Sequence, residues 1–183
     1  MARTSRPGTP GTWVLLCYRV PREPSTPRIT IWRKLRRLGV AQLADGLVAL
    51  PADARTREQL DWTADEITEA GGTASLWLAQ PASLASERDL AAEMAGARAA
   101  EYAKVTAEAT AGASRDEAGR RSLARRLRAE LRRIHRRDYF PPAQRDHATA
   151  AVDALVQAIA QPEAEPIAEP VAEPIAERQE QPS

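Results

Sequence analysis

The spacing of apolar residues changes several times along the chain, and each change marks an element. Trp13-Val14-Leu15-Leu16-Cys17 is an unbroken apolar run within Thr12 to Val20 and ends at Pro21. A run of that length, bounded by a breaker, predicts a buried strand. Pro21, Pro24 and Pro27 then make a stiff loop. From Arg28 to Leu38 the period becomes helical: Ile31, Trp32, Leu35 and Leu38 share one face, and Arg33, Lys34 and Arg37 the other. Gly39 is a good helix terminator. Val40 to Leu50 predicts a β-hairpin around Asp45-Gly46, a pair suited to a type I′ turn, and Pro51 closes it. Arg57 to Ala70 predicts an acidic helix closed by Gly71-Gly72. Ala74 to Gln80 predicts a strand centred on Leu76, Trp77 and Leu78.

The predicted order over residues 12–82 is β-α-β-β-α-β, the ferredoxin-like pattern of two split βαβ units. The fold class is therefore α+β, with a four-stranded antiparallel sheet and both helices on one face. A helical section, residues 83–160, is expected to pack on this unit. Ser86 to about Ala111 is Ala-rich and helical; Gly112 and Ser114 interrupt it, and Ser114 with Glu117 reads as a capping box for the next helix. That helix is expected to run to about Asp138, before Pro141-Pro142. Residues 143–160 predict one more, with Ala151, Leu155 and Ile159 spaced four apart. Residues 1–11, rich in Gly, Pro and Thr, are expected to be disordered. Residues 161–183 carry a four-residue repeat, Glu165-Pro166-Ile167-Ala168 and its two successors. Pro at every fourth position forbids a helix, so an extended, disordered acidic tail is expected.

Charge sharpens this division. The net formal charge of +1 conceals blocks of +8 (residues 1–40), −7 (41–114), +7 (115–137), −2 (138–160) and −5 (161–183). Two basic blocks separated by an acidic one imply a polarised surface. The chain has 24 Arg and only two Lys, a ratio that a GC-rich genome also produces, so position rather than abundance carries information.

The most informative position is the helix before Pro141. Leu123, Leu127, Leu131 and Ile134 form one stripe, and Arg121, Arg125, Arg128, Arg132 and Arg136 a second. At about 100° per residue the five arginines fall within roughly 80°, nearly opposite the Leu stripe, on a line around 22 Å long. Arg126, Arg133 and Arg137 widen it on one flank. Guanidinium is a rigid bidentate donor that keeps its charge, so such a rod suits phosphates or other oxyanions, above all a nucleic-acid backbone. Arg33 and Arg37 add a second basic helix. Two other readings stay open: a solvated face in an Arg-rich chain, and a face screened by the chain's own Glu-rich tail.

Catalytic and metal chemistry is missing. Cys17, the only cysteine, sits in a predicted buried strand, and His135 and His147 have no local partner at ligand spacing. Neighbouring positive charge is expected to oppose protonation of His135. There is no nucleophile elbow, no glycine-rich phosphate loop and no cofactor motif. The first strand ends Cys17-Tyr18-Arg19, and an arginine there repels a metal ion. No enzyme, metal or cofactor is expected. One cysteine and no apolar run near the roughly 20 residues of a membrane span give the expectation of a cytoplasmic protein without membrane contact.

Several segments together resemble the N-terminal domain of the ChrB family of chromate-resistance regulators. They are Trp13 to Pro21, Arg28 with Trp32-Arg33-Lys34-Leu35, Leu38-Gly39, Asp45-Gly46, Leu50-Pro51 and Ala70-Gly71-Gly72. Arg98 with Glu101-Tyr102, and Ile134 with Asp138-Tyr139-Phe140-Pro141, continue the series. The resemblance covers roughly residues 12–158. In that family this region precedes a larger second domain, and full-length members regulate chromate-resistance genes in response to chromate; here an Ala-Glu-Pro tail follows instead. The resemblance implies a transcriptional regulator of an oxyanion-stress operon acting on DNA through basic helices. Chromate or another oxyanion, and a protein carrying the sensor half, are the further partners expected, and a homodimer stays open. The alternative is a non-enzymatic interaction module that docks on a separate sensor subunit.

Overall fold

The computed structural model describes residues 11–160; the segment 1–10 and the repeat at 161–183 lie outside them. β1 (Trp13–Arg19), β2 (Ala41–Ala44), β3 (Leu47–Pro51) and β4 (Thr73–Ala79) form an antiparallel sheet in the order β2-β3-β1-β4. α1 (Ser25–Leu38) joins β1 to β2, and α2 (Ala54–Glu69) joins β3 to β4. Two βαβ units thus interleave, and the most continuous apolar run, β1, takes a central place between β3 and β4. A helical layer follows: α3 (Leu84–Ala111), α4 (Glu117–His135) and α5 (Gln144–Ala160).

The alternation of the strands divides the sheet into two faces. Val14 and Leu16 of β1 stand opposite Leu50 and Val48 of β3. This face is sealed by Ile31 and Leu35 of α1 and by Leu60 and Ile67 of α2. Two buried threonines are satisfied on α2: Thr56 Oγ1 donates to the Pro51 carbonyl at 2.6 Å, and Thr63 Oγ1 to the Gln59 carbonyl at 2.7 Å. On the second face Trp13, Ala41 and Ala49 are buried with Met94 of α3, and Phe140 stacks on Trp13 at 5.8 Å. The remainder of that face stays open. α3 then continues into a three-helix core with Tyr102 and Val105 on α3, Leu123, Leu127, Leu131 and Ile134 on α4, and Val152 and Leu155 on α5. The predicted Leu stripe of α4 is therefore its buried seam. No helix among the described residues is long and apolar enough to cross a membrane.

Several expectations are corrected. α1 begins at Ser25, because Pro27 falls in the first turn, where backbone N–H groups have no helical partner to lose. Trp32 is not core but 51% exposed, with the Arg36 guanidinium 5.0 Å above its ring; its spacing places it on the flank of the apolar stripe. Cys17 is exposed, since the open part of the second face includes it. The 45–46 turn has positive φ only at Gly46 (73°), not at Asp45, so it is not type I′. α2 starts earlier than Arg57 because Asp53 caps it: its Oδ1 accepts from Thr56 N at 2.7 Å, and Thr56 Oγ1 accepts from Asp53 N at 3.0 Å. α4 is capped by Asp116, which accepts from Gly119 N at 3.0 Å, not by Ser114. It ends at His135, where turn bonds from Arg137 N and Asp138 N replace the helical ladder. Ile159 belongs to the last turn of α5, whose side chains lie outside the described residues.

Candidate nucleic-acid and oxyanion interface

The end of α4, the end of α1 and the start of α2 meet at a cleft of about 440 Å³. Arg37 comes from α1, Arg55 from α2, and Arg133, Arg136 and Arg137 from the end of α4 and the turn after it; Glu130 is the one carboxylate among the lining residues. This convergence follows from local chain chemistry. Gly39, at φ 74°, ends α1 in a left-handed turn, and a Cβ there would lie 2.9 Å from the Arg137 Cβ. The helix end and the 136–140 turn therefore approach more closely than any other residue allows. Arg137 then donates from Nη1 to the Arg36 carbonyl at 3.4 Å and from Nη2 to Glu101 at 2.8 Å. Tyr139 donates to the Leu38 carbonyl at 3.0 Å. Arg55 donates to the Arg136 carbonyl at 2.7 Å, at the negative end of the α4 dipole, and lies over the Tyr139 ring at 5.9 Å.

The cleft divides its arginines by role. Arg137 is held by Glu101, and Arg133 by Glu130 on its own helix. Arg37, Arg55 and Arg136 have no carboxylate within salt-bridge distance among the described residues. Arg137 Nε and Gln59 Oε1 are buried in the cleft wall without a hydrogen-bond partner among the described residues. Burial pushes the Tyr139 phenol up, against the opposing pull of Arg55, so the ring stays neutral and serves as a wall. Behind the cleft, Arg98 is lowered mainly by burial and further by Arg137, while Glu101 opposes both. Three unpaired guanidinium groups from three elements offer fork-shaped donors to one tetrahedral oxyanion or to successive phosphates.

The predicted arginines divide accordingly. Arg37 and Arg136 are brought together in the cleft; Arg33 lies exposed one turn before Arg37 on α1. Arg121, Arg125, Arg128 and Arg132 lie exposed along α4, away from the buried seam. Along this run Arg121 pairs with Glu117 and Arg128 with Asp153 at 3.9 Å, and on the flank Arg126 pairs with Glu108. Arg125 and Arg132 have no acidic partner among the described residues. Arg55 was missed, because a single arginine in the acidic middle block has no periodic companion. His135 is lowered by burial first and by Arg145 of α5 second, with Asp138 opposing, so the positive charge involved comes from α5 and not from the arginine-rich helix that carries His135.

The fold and this cleft define a small α+β protein with a cationic interface at the junction of its sheet unit and helical layer. Residues 28–117 match the family described as "Protein ChrB, N-terminal". Protein ChrB of Cupriavidus metallidurans is 29% identical over 140 residues, covering 74% of this chain and 43% of that protein. The chain is thus similar to the ChrB N-terminal family over those residues, and it spans less than half the length of that relative. An uncharacterized protein of Mycobacterium tuberculosis shares the fold, with a TM-score of 0.51 at 18% identity over 82% of this chain and 61% of the other. The family match includes Arg33, Arg37 and Arg55 and stops at Glu117, the first residue of α4.

Proposed function

We propose that this protein is a non-enzymatic regulator of the chromate-resistance type that binds DNA through its arginine cleft and the exposed arginines of α4. The observation that carries this reading is the convergence of Arg37, Arg55 and Arg136 with no carboxylate of the described residues within salt-bridge distance. Like charges so placed repel one another, and an incoming phosphate relieves that repulsion while releasing counterions. The cleft also suits a single tetrahedral oxyanion such as chromate, which would then displace a DNA phosphate from the same arginines. Fluorescence anisotropy tests the reading, using duplex DNA from upstream of the protein's own gene against scrambled duplex, over a salt series, with and without chromate. Sequence preference, a steep salt slope and release by chromate are the expected results. Weak binding, equal on both duplexes and abolished by moderate salt, would reduce the surface to bulk charge.

A second reading is supported by the open sheet face. Trp77 (62%) and Leu43 (43%) are exposed there, beside a cavity of about 460 Å³ lined by Trp13, Leu15 and Leu90 with Asp89 and Glu93 at its edge. An apolar patch with a polar rim suits a protein partner, and the module would then dock on a separate sensor subunit. Co-purification of a stable protein partner without nucleic acid would favour it.

A further inference from the structure

We propose that the arginine face of α4 and its terminal cleft have an occupant within this chain, the acidic repeat of residues 161–183, which competes with nucleic acid for them. The competition rests on the DNA-binding reading above; the contact itself does not.

The path of the chain places the repeat at this face. α5 follows α4 after a short connection and runs back along it, with Asp153 beside Arg128 at 3.9 Å. From Asp153 to the end of α5 at Ala160 is about 10 Å, and from Arg128 back to Arg121 is about 10 Å as well. The repeat therefore leaves α5 level with Arg121, at the start of the arginine line. Its 23 residues reach about 70 Å at about 3.1 Å each in an extended proline-rich chain. That is about three times the length of the line to Arg136.

Charge selects the destination. The repeat holds six Glu and one Arg, whereas residues 41–114 carry −7 and repel it. Among the described residues, Arg125 and Arg132 on the line and Arg37, Arg55 and Arg136 in the cleft have no acidic partner, and neither do Arg115 and Arg120 at the start of α4, where the repeat departs. Glu165, Glu169, Glu173 and Glu177 recur every fourth residue, about 12 Å apart when extended, which spreads the negative charge along the whole line. Pro166, Pro170 and Pro174 prevent the repeat from closing into a helix of its own. The tether supplies an effective concentration on the order of millimolar, so individually weak ion pairs suffice, and salt weakens them together.

Paramagnetic relaxation tests the contact in the full-length chain, with a nitroxide on Ala172→Cys in a Cys17→Ser background. At about 25 mM salt the backbone signals of Arg125, Arg132, Arg136, Arg37 and Arg55 should broaden, and they should recover at about 0.5 M. The E165Q/E169Q/E173Q/E177Q variant should abolish the broadening at low salt. Absence of salt-dependent broadening, or its persistence in the Gln variant, would overturn the contact. The Gln variant should also bind duplex DNA at least about threefold tighter at low salt, and equal affinities would overturn the competition. Failure of both chains to bind DNA would remove the nucleic-acid reading and the competition with it, while the broadening by itself decides the contact.

Discussion

The outer run of α4 and the cleft at its end are built from the same residue type, yet they differ in what surrounds the charge. Along the outer run, Arg121 meets Glu117, Arg128 meets Asp153, and on the flank Arg126 meets Glu108. Exposed pairs of this kind contribute about 0–1 kcal/mol each, and they neutralise much of the local field. At the cleft, three arginines from three separate elements converge with no acidic partner among the described residues, against backbone carbonyls and a neutral tyrosine. Arginine density alone is thus a poor guide to an anion site. Convergence without counter-charge is a better one, and helical spacing cannot reveal it.

The largest expected effect tests what the two regions share. Both depend on the seam of α4, and Leu127 is 1% exposed within it. Leu127→Ala should lower the unfolding free energy by about 2–5 kcal/mol in urea titration and weaken DNA binding through both regions. A loss under about 1 kcal/mol would mean that this stripe does not hold α4.

Next in size is the contrast between the regions. R37A/R55A/R136A should weaken duplex binding about tenfold or more and lower the salt slope by about 0.9 for each phosphate no longer neutralised. R121A/R125A/R128A should cost less than about threefold, because two of its three arginines already have acidic partners. Equal losses, with unchanged circular-dichroism melting in both variants, would erase the distinction between cleft and outer run.

The smallest effect concerns the scaffold of the cleft. His135, the last residue of α4, is held below its ordinary pKa mainly by burial, and its Nε2 lacks a hydrogen-bond partner among the described residues. A base whose folded pKa is depressed favours the fold above its unfolded value, about 6.5. That contribution is lost as pH falls through the lower, folded value. The urea midpoint of the parent chain should therefore fall more steeply than that of His135→Gln between about pH 7.5 and pH 5. Parallel curves would show that His135 does not couple pH to this end of the helix.

Much of the fold was legible because its signals are local. The run from Trp13 to Cys17 announced the central strand, Gly39 the end of α1, and the Leu123–Ile134 stripe the buried seam of α4. The misreadings came where two local rules competed. Trp32 is apolar enough for the core but sits far enough round α1 to lie under Arg36 instead. Pro27 looked like a loop residue because a first-turn proline is indistinguishable from a breaker until the helix is seen.

Periodicity and composition, read along the chain, established the element order, the basic character of α1 and α4, and the acidic repeat, since each arises among residues within a few turns of one another. The arginine cleft needed the third dimension. Arg37, Arg55 and Arg136 are far apart in the chain and share no spacing rule; they meet because the end of α1, the start of α2 and the turn after α4 come to one place, secured by Gly39, Tyr139 and Arg137. Part of the pairing was equally invisible: Arg121 and Arg133 meet carboxylates of their own helix, but Arg126 and Arg128 are paired by Glu108 and Asp153, contributed by other elements. Charge at a position is a property of the residue, whereas field at a site is a sum over neighbours that only packing assembles.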